Sequence, residues 1–293
     1  MQYLTCLTNL KTWLNVTTDT DDALLNSMIV AFTDAIMSYL ERPTFAATQN
    51  AEQYDGVGNQ KITLRNWPVI AVSTVKVFGG LGFGGSMFGQ SGLPNGVVSI
   101  PASNGFGNSG FALESYDGTG AGRPQRVILT GYNYPRGNGN VQITYTAGYQ
   151  VSESRTVPAT PGPYTLAPNV PYGPFLADSG PTYASGGAAF TLVSALTGTA
   201  GQYTLAVASG TQIATYTFNA ADQGVGINLN YSYVPASIER AAIQWIGEQY
   251  KYKQRIGQKT SNSNGIETSS YDTKDMPDFI AQILKPYAKF IPL

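Results

Sequence analysis

The chain predicts an α+β fold: a helical bundle core with a β-hairpin or small sheet, plus an inserted all-β module. Three observations carry this expectation. Apolar residues recur at three- and four-residue spacing at both ends of the chain and at two-residue spacing between them. The strand-like stretches are rich in turn-forming and aromatic residues, with Gly 33 and Tyr 19 overall. Charge is scarce: 12% of the 293 residues are charged and 42% are hydrophobic, about half the usual charged share.

Residues 1 to 45 read as two helices. Leu7, Leu10, Trp13 and Leu14 recur on one face of a short first helix. "TTDTDD" supplies a cap and negative charge for a second, whose stripe is Leu25, Met28, Ile29, Phe32, Ile36, Tyr39 and Leu40. Arg42-Pro43 ends it, because a residue before proline avoids helical angles. Trp13, Phe32 and Ile36 are therefore candidate core residues.

From Tyr54 the period changes to two. Ile62 and Leu64, then Val69, Ala71, Ser73, Val75 and Val77, alternate around Trp67-Pro68. A second alternating stretch, "RVILTGYNYPRGNGNVQITYTAG", has a turn signal at its centre and reads as a β-hairpin. Residues 79–125 form a glycine-rich excursion with short strands. After the linker-like "VPATPGP" come "PYTLAP", "AFTLVS", "GQYTLAVA", "ATYTFNA" and "GINLNYSY", a series of short strands that suggests a small all-β unit. From Thr156 to Ser232 its only charged side chains are Asp178 and Asp222.

Residues 235–257 return to helix, with Pro235 in the first turn and Ile238, Ala241, Ala242, Trp245 and Ile246 facing inward. Ile238 and Trp245 complete the candidate core. "GQKTSNSNGIETSSYDTKD" reads as a mobile polar loop, and "MPDFIAQILKPYAKFIPL" gives a last helix stopped at Pro286. In this division residues 1–149 and 234–293 make one core, and 150–233 are an inserted β-rich module.

The usual chemistry kits are missing. No histidine exists, and Cys6 is the single cysteine, so it reads as a small apolar residue and not as a nucleophile. Nor is there a calcium-loop pattern, and no cofactor or metal is expected. Gly80-Leu81-Gly82-Phe83-Gly84-Gly85 formally matches a dinucleotide loop, but "SMFGQSGLPNG" follows where a helix is required. Asp19, Asp21 and Asp22 sit at a helix start, and Asp55 and Asp117 in Asp-Gly turns. Each has a structural reason to exist, which leaves a glycan-cleaving carboxylate pair without support. A non-enzyme is expected. No window reaches the ~18 apolar residues of a membrane span and no signal peptide opens the chain, so a cytoplasmic setting and no membrane partner are expected.

With net charge −1, nucleic acid could be met only by a local patch. One patch stands out. Eight of the 17 Lys and Arg lie after residue 233, and Arg240, Lys251, Lys253, Arg255 and Lys259 crowd the helix that holds Trp245. Tyr250 and Tyr252 there offer stacking to single-stranded nucleic acid. The plainer reading is a solvated or partner-facing edge, or the basic lining of a channel.

Several stretches, in order, resemble the phage head–tail connector (adaptor) family, the gp6-like or gp15-like proteins. They are "LTNLKTWLNVTTDTDDALLNSMIVAFTDAIMSYLERPTF", "EQYDGVGNQKITLRNWPVIAVSTVKVFG", "NYPRGNGNVQITYTAGY", "VPASIERAAIQWIGEQYKYKQRIGQKTSNSNG" and "MPDFIAQILKPYAKF". Residues 79–125 and 150–233 stand out as insertions into a smaller family core. The resemblance implies a virion protein of the neck, assembled in the host cytoplasm, without catalysis. It implies a homo-oligomeric ring of about twelve copies below the portal protein, with head-to-tail contacts. Such a ring extends the DNA channel and docks a neighbouring neck or tail-completion protein. Arg240, Lys251, Lys253, Arg255 and Lys259 would then face portal or genomic DNA, the latter through transient, nonspecific contact. The alternative from the residues alone is a receptor- or carbohydrate-binding β-rich virion protein that uses the tyrosine-rich module.

Overall fold

The computed structural model describes residues 3–78, 96–103, 107–114, 125–159, 164–169, 173–208, 210–252, 260–263, 267–270 and 276–289. The glycine loop at 80–85, Asp117, and the basic residues Lys253, Arg255 and Lys259 lie outside them. The first half holds α1 (Leu7–Leu14), α2 (Asp22–Leu40), β1 (Thr48–Gly56), β2 (Lys61–Thr63), β3 (Val69–Phe78), β4 (Val97–Ile100), β5 (Gly110–Glu114), β6 (Arg126–Thr130) and β7 (Gly137–Ala147). Then come β8 (Gln150–Thr156), β9 (Thr165–Leu166), β10 (Phe175–Asp178), β11 (Thr182–Tyr183), β12 (Thr191–Leu192), β13 (Gln202–Ala208), β14 (Ile213–Phe218) and β15 (Gly226–Tyr233). The chain continues through α3 (Ala236–Tyr252), β16 (Thr260–Ser263), β17 (Glu267–Ser270) and α4 (Asp278–Leu284). The class is α+β, with mostly antiparallel sheets and most of the strands beyond the opening helices.

By internal contacts the chain divides into two compact units, Met1–Ala46 with Tyr149–Ala288, and Ala47–Gly148. The β-rich segment 150–233 thus shares its unit with all four helices.

In the Ala47–Gly148 unit, one sheet has strand order β1-β7-β3-β4 and a second has β2-β6-β5. Their apolar side chains, among them Leu64, Val75, Val127, Leu129, Ile143 and Tyr145, form one buried cluster. The hairpin expected across 126–148 does not form. β6 pairs β2 and β5, whereas β7 pairs β1 and β3, so the "PRGNGN" turn carries the chain from one sheet to the other. Asn140 fixes that corner. Its Oδ1 accepts from Gly56 N at 2.8 Å and its Nδ2 donates to Pro135 O at 2.9 Å. A Cβ at Gly56 would lie 1.8 Å from the Pro135 carbonyl, so only glycine fits there.

Strand β1 starts six residues before the alternation seen in the sequence. Its leading residues Thr48 to Gln53 are polar apart from Ala51, in keeping with an edge strand paired only with β7. Strand β3 also departs from simple alternation. Register shifts between Val69 and Ala71 and between Val72 and Thr74 turn Ala71 and Ser73 outward and Val72 onto the core. Such bulges change which face a residue serves.

In the other unit, β15 is central: it pairs β8 along one side and β10 and β11 along the other. A second sheet has order β12-β13-β14-β9. Aromatic residues fill the space, with Phe175, Phe190, Tyr203, Tyr216, Phe218 and Tyr231 all buried. The polar run after α3, expected as a loop, contains the hairpin β16–β17.

The two aspartates of the neutral segment are internal. Asp222, 1% exposed, accepts from Tyr183 Oη and from Gly201 N, each at 3.0 Å. Asp178 accepts from Tyr216 Oη at 2.9 Å, Gly180 N at 3.0 Å and Tyr203 Oη. Glu153, also buried, accepts from Tyr231 Oη and from Asn169 N at 3.0 Å. In the first unit Glu52 plays the same part for Tyr54, Tyr145 and Asn66.

Burial, reinforced by the Glu52 carboxylate, pushes the Tyr145 hydroxyl up to about 12. Burial raises Tyr54, Tyr134, Tyr149, Tyr203 and Tyr216 further, with Asp178 adding to the last two. The folded hydroxyls hold their protons above the ordinary value of 10.0. The stability they contribute is therefore complete below pH 10 and lost as pH rises through the folded values. A spectrophotometric titration should show these six tyrosines silent until an abrupt alkaline unfolding transition; gradual ionisation of all 19 in the folded protein would contradict it. Replacing Asp222 by Ala leaves the Tyr183 hydroxyl and the Gly201 amide without their acceptor. The expected loss is about 2–4 kcal/mol of unfolding free energy in urea titration.

Candidate functional site

The helix α3, which carries Arg240 and Lys251 and leads into Lys253, Arg255 and Lys259, is the feature singled out by the sequence, and its surroundings are the opening helices. α1 lacks a side-chain cap at Cys6, so its exposed amides and polar groups are met from elsewhere in the chain. Thr8 N and Thr8 Oγ1 donate to the Gly210 carbonyl at 3.4 and 3.0 Å. Asn9 Nδ2 and Thr5 Oγ1 donate to Glu239 Oε1 at 2.7 and 3.3 Å. The β13–β14 connection and the first turn of α3 thereby hold the start of α1.

The acidic turn before α2 works similarly. Asp21 is the N-cap but makes no side-chain cap bond; it accepts instead from Tyr250 Oη on α3 at 2.5 Å. Asp19 and Asp22 pair with Lys11 of α1 at 2.7 and 2.8 Å. This raises the Lys11 ammonium and lowers the Asp19 carboxyl. The carboxylates weighed as a catalytic pair are thus structural ties here, and Asp55 likewise accepts from Gly139 N at 2.6 Å. No cluster of three metal-ligating side chains occurs among the described residues.

Between the helices Leu10, Leu25, Ile29 and Ile246 are buried together. Ile36 and Ile238 are fully buried, and Phe32 meets Trp245 edge-on with ring centroids 4.9 Å apart. Trp13 is a correction. It is 55% exposed, with its indole beside Gly247, where an added Cβ would lie 3.4 Å from Nε1. The short α1 already spends its inward positions on Leu10 and its neighbours, so the indole stays at the rim.

Two of the five basic candidates are described. Arg240 and Lys251 are both exposed, and eleven residues make about three turns plus 20°, so they share one side of α3 about 16 Å apart. Tyr250 is engaged by Asp21 and packs with the helices, which removes it from the stacking role weighed for it. An open groove of 480 Å³ lies beside α1, lined by Leu7, Lys11, Asn15, Val16 and Asp22 among others.

By length and composition α2 is apolar enough to cross a membrane, with a mean hydropathy of 1.4, and 28% of that window is buried. Asn26, Ser27, Thr33, Asp34 and Ser38 interrupt its large residues, so the sequence shows no unbroken apolar run. Its buried face is Leu25, Ile29, Thr33, Ile36 and Leu40. Leu24 and Tyr39 are exposed, as are Ser27, Ala31 and Ser38.

The ties described are structural, and Arg240 and Lys251 stay exposed on one side of α3. Residues 5–76 match the family model for the phage gp6-like head-tail connector protein, the family that the opening stretches resemble. The match spans α1, α2, β1, β2 and most of β3, and it supports a head–tail connector role, that of a virion component in contact with other phage head or tail proteins. No curated protein matches the chain.

Burial raises the Glu239 carboxyl above its ordinary 4.5, against the lowering effect of Asn9 and Thr5. The folded state holds this proton more tightly than the unfolded chain. Its contribution is complete below pH 4.5 and lost as pH rises through the folded value. Glu239→Gln keeps the acceptor oxygen and should remove that pH dependence from thermal unfolding curves, whereas Glu239→Ala should cost about 1–3 kcal/mol below pH 4.5 and less as pH rises.

Proposed function

We propose that the chain is a structural head–tail connector (adaptor) of a tailed bacteriophage, forming a ring of about twelve copies below the portal. The ring extends the DNA channel, docks the next neck or tail-completion protein, assembles in the host cytoplasm and performs no catalysis. The observation that carries this reading is the connector-family match over 5–76. The exposed Leu24 and Tyr39 of α2, together with Trp13, support it: large apolar side chains left outside the core offer a surface to a neighbouring copy.

In this reading residues 1–149 and 234–293 carry the connector core, with 150–233 inserted. The pairing of β8 with β15 supports insertion, because the segment enters and leaves as adjacent antiparallel strands and its ends lie close together. Arg240 and Lys251, with Lys253, Arg255 and Lys259 beyond the described residues, face portal or DNA. Any DNA contact is to phosphates and weakens steeply with salt, as genome passage requires. The carbohydrate-binding reading finds no support in the tyrosines of the module's core, since Tyr203, Tyr216 and Tyr231 are buried and offer no face to a sugar.

Native mass spectrometry of the protein, alone and with its cognate portal, tests the reading. A ring of about twelve copies, or a monomer that becomes one on the portal, is expected. A protein that stays monomeric and ignores the portal overturns it.

A further inference from the structure

Two dipeptides meet at one end of the β1–β7 pair, Asp55-Gly56 and Asn138-Gly139. In each, the glycine nitrogen follows a residue with a side-chain carbonyl, and glycine has no side chain to shield that nitrogen. Attack of the nitrogen on the side-chain carbonyl carbon closes a five-membered succinimide ring. At Asn138 the step forms a bond from Gly139 N to Cγ and breaks the bond from Cγ to Nδ2. Ammonia leaves with the proton that Gly139 N gives up. Water then opens the ring to an aspartyl or an isoaspartyl residue. The reactive species is the deprotonated amide, so whatever holds the Gly139 proton in place slows the reaction.

Four Asn-Gly pairs occur in the chain, at 95–96, 104–105, 138–139 and 264–265, and both residues of the third are described. Asn138 and Gly139 are exposed, and a Cβ added at Gly139 would meet only Gln53 Oε1, at 3.8 Å. Neither burial nor crowding therefore protects the pair. What holds it is Asp55. Gly139 N donates to Asp55 Oδ1 at 2.6 Å. With its nitrogen turned to the carboxylate, the Asn138 amide donates to the same Oδ1 at 2.5 Å and to Oδ2 at 3.1 Å; the opposite orientation would set oxygen against oxygen. One carboxylate thus grips the nucleophile and the leaving group together. On the facing dipeptide, Gly56 N donates to Asn140 Oδ1 at 2.8 Å, so each glycine nitrogen is capped by a side chain of the opposite strand.

We infer that Asn138 is a site of succinimide-mediated deamidation that Asp55 holds in check. A hydrogen bond to the carboxylate favours the protonated form of the Gly139 amide, and the negative charge disfavours the anion that must form beside it. Donation from Nδ2 to the same charge strengthens conjugation within the side-chain amide, so its carbonyl carbon accepts a nucleophile less readily. Conversion would also set a second carboxylate against Asp55, like charge against like, and open the tie between the two strands. The inference does not rest on the connector reading.

The test follows the tryptic peptide 137–155 by mass spectrometry while the intact protein stands in mildly alkaline buffer, with fragmentation separating Asn138 from Asn140. Asp55→Ala should speed conversion at 138 about tenfold or more, the factor expected for losing a hydrogen bond to a charged group. The other three Asn-Gly pairs, read in the same digest, should keep their wild-type rates. The wild-type chain unfolded in urea should convert at 138 faster than the folded protein. A folded Asp55→Ala protein that converts at the wild-type rate or more slowly overturns the inference. So does an acceleration shared by all four pairs, which reports general loosening, or an equal rate at 138 in folded and unfolded wild type. Circular dichroism checks that the variant is folded; if it is not, Asp55→Ser, which keeps an acceptor oxygen without the charge, takes its place and is read the same way.

Discussion

A carboxylate, buried or half-buried, that gathers tyrosine hydroxyls is the device on which both units depend. Glu52, Glu153, Asp178 and Asp222 each accept from one or more tyrosines; the last three also hold a backbone amide of a loop, and Glu52 holds the Asn66 side chain beside Trp67-Pro68. A carboxylate has two oxygens and several lone pairs, so one residue can anchor two strands and a turn at once. Charged acceptors make stronger hydrogen bonds than neutral ones. A chain with few charges and short strands gains its loop geometry from these few internal acceptors, and their loss would leave buried donors unmet.

The helices solve a different problem with the same economy. α1 is only eight residues long, too short to be stable alone, and its N-terminal groups are met by Gly210 and Glu239 while Lys11 reaches the acidic turn before α2. The acids and the one lysine that might have been surface chemistry are spent in joining α1, α2 and α3. Exposed around them are a mixed side of α2 that includes Leu24, Asn26, Asp34 and Tyr39, the rim-lying Trp13, and the cations Arg240 and Lys251.

Much of the fold was legible in the sequence because local periodicity reports local burial. The stripes of α2 and α3 and the strands "GQYTLAVA", "ATYTFNA" and "GINLNYSY" each alternate with the period of the element they form. The misses have physical causes. Thr48 to Gln53 carry no apolar alternation because β1 is an edge strand. Ala71 and Ser73 were assigned inward because bulges leave no mark in the pattern. The "PRGNGN" turn looked like a hairpin because a turn signal does not say which strand lies beyond it. Of the candidate site, the run of cations on and after α3 was visible, but the exposure of Trp13 and the engagement of Tyr250 by Asp21 were not.

The sequence by itself determined the element types, the apolar faces of the helices, the absence of histidine-based chemistry and the neutrality of the 150–233 segment, since these follow from residue identity and spacing alone. Its connector-like opening stretches were readable for the same reason. Only the tertiary structure decided that β6 and β7 serve different sheets, that the neutral segment shares a unit with the helices, and that its two aspartates face inward. Strand pairing and burial depend on which distant segments meet, and that is a property of the packed chain that no single stretch contains.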